Sequence, residues 1–190
     1  TQERNLIRVE DSEGAHYGFV YADGVVEKFY DFYERRKDKD FWYAAATLNR
    51  VLFSFLPGVN LVPEDMFDFY DYELVMDGVT SQHNFRGVGV YGMGFEVLNM
   101  TFPHSSGLQA LGGTLTLGQL AENLPRVLGN KSWVPRMLYD FVLEDLDFEL
   151  NQQVDEMIVR SPGGYVLDGE VYKNEPEVKL SPWAVKFVKL

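Results

Sequence analysis

Two spacings of apolar residues succeed one another along this chain and divide it into segments. Leu6, Ile7 and Val9, then Tyr17, Phe19 and Tyr21, suit half-buried strands, and Asp23-Gly24 is a turn signal. From Val25 the period lengthens: Val25, Val26, Phe29, Tyr30, Phe32 and Tyr33 predict a helix ending in the charged run 35–40. Asp40 caps a second predicted helix over 40–56, whose apolar residues recur at spacings of three and four before Pro57-Gly58 stops it. A third helix is predicted over 63–76. Pro63 suits its first turn, Glu64, Asp65 and Asp68 suit the positive end of its dipole, and Gly78 lies just beyond its end.

The second half of the chain repeats the change of period. Residues 79–115 are rich in glycine and poor in charge, which predicts short strands and loops. Helix returns over 116–128, opened by the capping-box pattern of Thr116 and Gln119 and kinked at Pro125. The longest predicted helix runs over 132–160 from Ser132 as N-cap. Leu143, Leu146, Leu150, Val154 and Met157 form one stripe on it, and Val134, Leu138, Phe141 and Phe148 a second. A hairpin over 165–172 turns at Asp168-Gly169. These segments predict an α+β fold, mainly helical, with about five helices and a small antiparallel sheet. No βαβ alternation is present, so a Rossmann-type sheet is not expected. The domain expectation is a single globular domain over 1–177, with 178–190 as an apolar C-terminal tail packed on the domain or on a partner.

Composition narrows the chemistry. The 190 residues carry net charge −12, no cysteine and three histidines, against 14 Phe, 11 Tyr and 3 Trp. Thiolate chemistry and cysteine-ligated zinc are therefore excluded. The absence of cysteine also favours an intracellular or organellar, soluble protein over a secreted one. The longest apolar-leaning stretch, 41–56, is broken by Thr47, Asn49, Arg50 and Ser54, so no transmembrane segment is expected. Residues 137–177 hold 11 acidic and two basic residues. That field repels phosphate backbones, which argues against nucleic acid, and suits a protein partner with a basic surface.

No motif carries a catalytic signature. Gly87, Gly89 and Gly92 match the letters of a dinucleotide fingerprint, but the polar residues before them and the strand-like residues after them are the wrong setting. His16, His83 and His104 lack metal-ligand spacing, and the acidic cluster Glu64, Asp65, Asp68 and Asp71 lacks the glycine bend of a calcium loop. No cofactor or metal is expected. These readings converge on a non-enzymatic accessory or scaffolding subunit of a larger assembly. Its contacts would be Trp183, Phe187 and Trp133, with Asp140, Glu144 and Asp147 steering the partner. The alternative is an enzyme or small-ligand-binding protein with a pocket around segment 83–107, where His83, Arg86, His104 and Ser105 supply the polar groups.

Overall fold

Strands, not helices, dominate the molecule. The computed structural model describes residues 2–34, 50, 61–97, 100–102, 107–114, 141–142 and 148–187. In chain order these form β1 (Gln2–Glu10), β2 (Ala15–Gly18), β3 (Val20–Asp23), the helix α1 (Val25–Glu34) and a single 3₁₀ turn (Glu64–Phe67). Then come β4 (Tyr70–Met76), β5 (Val79–Phe85), β6 (Gly87–Tyr91), β7 (Phe95–Val97), β8 (Met100–Phe102) and β9 (Leu108–Gly113). The last are β10 (Phe141–Val142), β11 (Leu150–Val154), β12 (Met157–Arg160), β13 (Tyr165–Leu167), β14 (Glu170–Tyr172) and β15 (Glu177–Phe187).

Two six-stranded antiparallel sheets hold most of these strands. The first has the order β2-β1-β15-β12-β4-β5, the second β11-β9-β6-β3-β13-β14, and β10-β8-β7 make a small third sheet. Alternation fixes which side chains turn inward. Ile7 and Val9 of β1, Tyr72, Leu74 and Met76 of β4, Met157 and Val159 of β12, and Val178 and Leu180 of β15 are buried at every second position. They form one hydrophobic cluster with Tyr21, Val88, Val90, Leu108, Ala110, Leu150 and Tyr165 of the second sheet. Burying a side chain such as Leu180 or Ile7 fully contributes about 1.5–3 kcal/mol.

Three of the passages between the two sheets are tight corners. β2 continues into β3, β5 into β6, and β11 into β12. At each corner an aspartate accepts the amide protons that the strand pairing leaves behind. Asp168 takes those of Phe19 and Val20, Asp23 that of Val88, and Asp77 those of Asp155 and Glu156 at 2.9 Å each. Asp77 also opens the β4–β5 turn at φ +48°, a conformation that Asp and Asn tolerate better than Ala. Asp77→Ala should therefore cost about 1–2 kcal/mol in urea unfolding, and Asp77→Asn clearly less. Equal losses for the two would show that the corner does not depend on this acceptor.

The mainly helical expectation is thus corrected: α1 is the only α-helix lying wholly within the described residues. Residues 63–76 are not a helix but the 3₁₀ turn followed by β4, and 148–160 are not helical but contain β11 and β12. The reason lies in arithmetic. A spacing of four, as between Leu150 and Val154, keeps one face of a helix and equally one face of a strand, because four is even. The corner at Asp155-Glu156 then resets the phase and admits Met157 at a spacing of three. The predicted helix at 25–34 and the hairpin at Asp168-Gly169 do form. The predicted helices over 40–56 and 116–128, and most of 132–147, lie outside the described residues.

The segment read as a tail is a full strand. β15 lies between β1 and β12, pairing Leu6 with Trp183, Val9 with Leu180, and Met157 with Leu180. Arg160 clamps the same region by reaching both Glu73 of β4 and Glu177 of β15.

Candidate functional site

Where β3 ends and α1 begins, the chain places an ionisable group in the core. Asp23 has no exposed surface. Its carboxylate accepts hydrogen bonds from the Tyr72 hydroxyl at 2.9 Å, the Tyr21 hydroxyl at 3.1 Å and the Val88 amide at 2.8 Å. Burial outweighs those three donors and pushes the Asp23 carboxyl up to about 7. Glu27, one helical turn on and also buried, adds to the rise by repulsion. Its own carboxyl is raised, first by burial and then by Asp31 and Asp65 against the opposing pull of Lys28 and Lys173. Tyr21 and Tyr72 are raised as well, by burial and by the adjacent Asp23 charge.

Local sequence dictates this corner. Gly24 takes φ +61°, which lets the backbone reverse from strand to helix. The Val25 amide donates to the Arg86 carbonyl at 2.8 Å, and the Lys28 amide to Gly24, starting the helix. The helix is then held on the second sheet and on the 3₁₀ turn. Lys28 pairs with Asp65, and Lys173 with Asp31. Exposed apolar groups flank its first turn: Val26, and Phe69 with the Arg86 guanidinium 4.7 Å above its ring.

A second feature lies at the other edge of the first sheet, between β2 and the β13–β14 hairpin. Ala15, His16, Tyr17, Leu167, Asp168, Glu170 and Tyr172 line a half-open hollow of about 430 Å³. His16 Nε2 lies 3.3 Å from Asp11 Oδ2, the atom that also accepts the Tyr165 hydroxyl at 2.6 Å. Burial works against the Asp11 charge, but Tyr165, the Glu13 and Gly14 amides and His16 prevail and lower its pKa. Tyr172 stacks on Tyr165 at 4.7 Å and meets His16 at 4.6 Å.

The fold has counterparts among solved structures. A structure described as "a putative diacylglycerol kinase from Bacillus anthracis str. Sterne" superposes with TM-score 0.50 at 9% identity, over 96% of this chain and 55% of that one. Another from the same source gives TM-score 0.49 at 10% identity, over 95% and 54%. Yeast NADH kinase complexed with NADH gives 0.42 at 6% identity, over 96% and 41%. The first of these likenesses is one of fold. This chain spans about half the length of the structures it matches. No family model matches the sequence, and no curated protein does.

This likeness corrects the reading of the chain as a non-enzymatic accessory or scaffolding subunit. The neighbour at TM-score 0.50 is described as a kinase, which favours the alternative, an enzyme or small-ligand-binding protein. Two residues of that alternative, His83 and Arg86, lie among the described residues. His83 sits on β5, bonded to Ser81 at 2.9 Å and stacked on Phe85, while Arg86 turns to Phe69 at the corner. His104 and Ser105 lie outside the described residues. The Gly87–Tyr91 stretch of the dinucleotide-like pattern is β6, paired with β3 and β9, and opens no helix.

Of the contact residues, Trp183 stands on β15, 47% exposed, with its ring edge-on to Tyr17 at 5.4 Å. Phe187 pairs with Gln2 at the end of β15. Trp133, Asp140, Glu144 and Asp147 lie outside the described residues. Among the described residues no cluster of His, Asp or Glu suits a metal ion, and no helix is long and apolar enough to cross a membrane. Asp23 and Glu27 were missed because Asp23-Gly24 reads as an ordinary turn. The available signal was an acid directly between the apolar Tyr21-Ala22 and Val25-Val26 pairs.

Proposed function

We propose that this chain contributes the acceptor side of a kinase-type enzyme, with Glu27 as general base next to the buried Asp23. The observation that carries this reading is the buried carboxyl pair at the β3–α1 corner, both members held above the ordinary carboxylate range. A base with its pKa moved toward neutrality is poised both to be ionised and to take a proton. The fold likeness to a protein described as a diacylglycerol kinase supports the reaction class.

In the reaction, an acceptor hydroxyl oxygen forms a bond to the γ-phosphorus of ATP, and the bond from that phosphorus to the bridging oxygen breaks. ADP leaves, and the hydroxyl proton passes to the Glu27 carboxylate. A neutral, lipid-like acceptor suits this corner, where Val26 offers apolar surface next to Glu27 in the first turn of α1.

The test supplies ATP and magnesium to the full-length protein with dioctanoylglycerol in micelles, or with NADH, and follows ADP release. Release with dioctanoylglycerol is expected, and Glu27→Gln should lower kcat by about 100-fold or more with an unchanged circular dichroism spectrum. Full activity in Glu27→Gln would remove that residue from the chemistry. No ADP release and no saturable binding with either acceptor would overturn the function.

A further inference from the structure

We propose that the hollow between β2 and the β13–β14 hairpin is a binding site for a small organic ammonium ion, separate from the Asp23–Glu27 corner. Its chemistry selects the ligand by elimination and by fit. Asp168 and Glu170 line it, Asp11 stands behind His16, and none of the lining residues is Lys or Arg. An anion is therefore repelled. A bare metal ion is too small for about 430 Å³, and the rings of His16, Tyr17 and Tyr172 do not ligate hard cations through carbon faces. A soft, bulky cation gains both from carboxylate charge and from aromatic faces.

The wall is already built. Tyr172 is fixed by its stack on Tyr165 and by the His16 ring. Asp168 is fixed by the Phe19 and Val20 amides, at 3.0 and 2.9 Å, so its charge cannot swing away. Glu170 is exposed and accepts the Tyr172 hydroxyl at 3.2 Å, a weak bond from which it can close on a ligand. Tyr17 is 47% exposed and braced by Trp183.

The ammonium group has two sources, a free amine or a phospholipid headgroup, and the experiment separates them. Full-length protein is titrated with tetramethylammonium chloride and with ethanolamine while NMR follows the His16 and Tyr17 ring signals. Saturable shifts in the millimolar range are expected. Tyr17→Ala and Glu170→Gln, both at exposed positions, should each weaken binding about fivefold or more with unchanged melting temperature, and added NaCl should weaken it further. Phosphatidylcholine vesicles form the second arm. Co-sedimentation lost in both variants assigns the headgroup; no co-sedimentation, with soluble binding intact, assigns the free ion. Absence of saturable shifts together with no vesicle binding overturns the proposal, as does binding unchanged in both variants.

Discussion

Between pH 4 and pH 8 the protein should lose about 4 kcal/mol of folding stability through Asp23 alone. In the unfolded chain this carboxyl ionises near the usual value, whereas in the folded chain burial holds it near 7. Below about pH 4 both states keep the proton and the contribution is complete. From there to pH 7 the unfolded state gives up its proton while the native state retains it, so stability falls as pH rises. Above 7 both states are ionised and the loss is constant. The check is urea unfolding across this range for the wild type and for Asp23→Asn, whose amide has no such titration and still offers an oxygen to Val88 and Tyr72. The difference between the two curves should rise in favour of the variant by about 4 kcal/mol. Parallel curves would mean that Asp23 does not titrate in this window. Glu27, raised in the same direction, acts with the same sign.

Gly24→Ala should be among the most damaging single-methyl changes in the described fold. An added Cβ would lie 2.3 Å from the Arg86 carbonyl oxygen and 2.7 Å from the Tyr72 hydroxyl, at φ +61°. The backbone conformation alone costs an alanine about 1–2 kcal/mol. The clash forces apart β3 and the β5–β6 corner, bringing the expected loss to about 3–5 kcal/mol. Gly78→Ala is the matched control. It has φ +83° but nothing within 4 Å of the added carbon, so it bears the conformational cost without the collision. Denaturation of both variants separates the terms, and a loss at Gly24 no larger than at Gly78 would contradict the tight packing around Asp23.

The sequence made short-range signals legible and long-range ones not. The β13–β14 turn, the helix at 25–34 and strands in the glycine-rich middle depend on neighbouring residues, and reading the chain locally recovers them. The helix predicted at 63–76 rests on end signals, Pro63, Glu64, Asp65, Asp68 and Gly78, while Tyr72, Leu74 and Met76 alternate as a strand does. The one through 148–160 failed because Leu150 and Val154 satisfy both periods. What decides between them is a partner strand distant in sequence, such as β12 for β4. The same holds for the site. Glu27 was visible as a helix residue, but its significance comes from Asp23, whose burial is created by Tyr72 and Val88 from two other strands. The apolar residues after 177 were recognised as needing cover; that β1 supplies it was not, since nothing in either segment names the other.

That pairing of β1 with β15 also sets a clock. Gln2 meets Phe187 and Glu10 meets Lys179, so β1 leaves the ribosome long before its neighbour exists. At about 5–20 residues per second the interval is roughly 10–35 s. Throughout it, one edge of β1 has no mate, and Ile7 and Val9 lack the floor that Leu180 and Val178 later provide. That edge of β1 is therefore covered only once β15 has been made, a non-local step that slows folding and leaves the nascent chain reliant on chaperone cover until then.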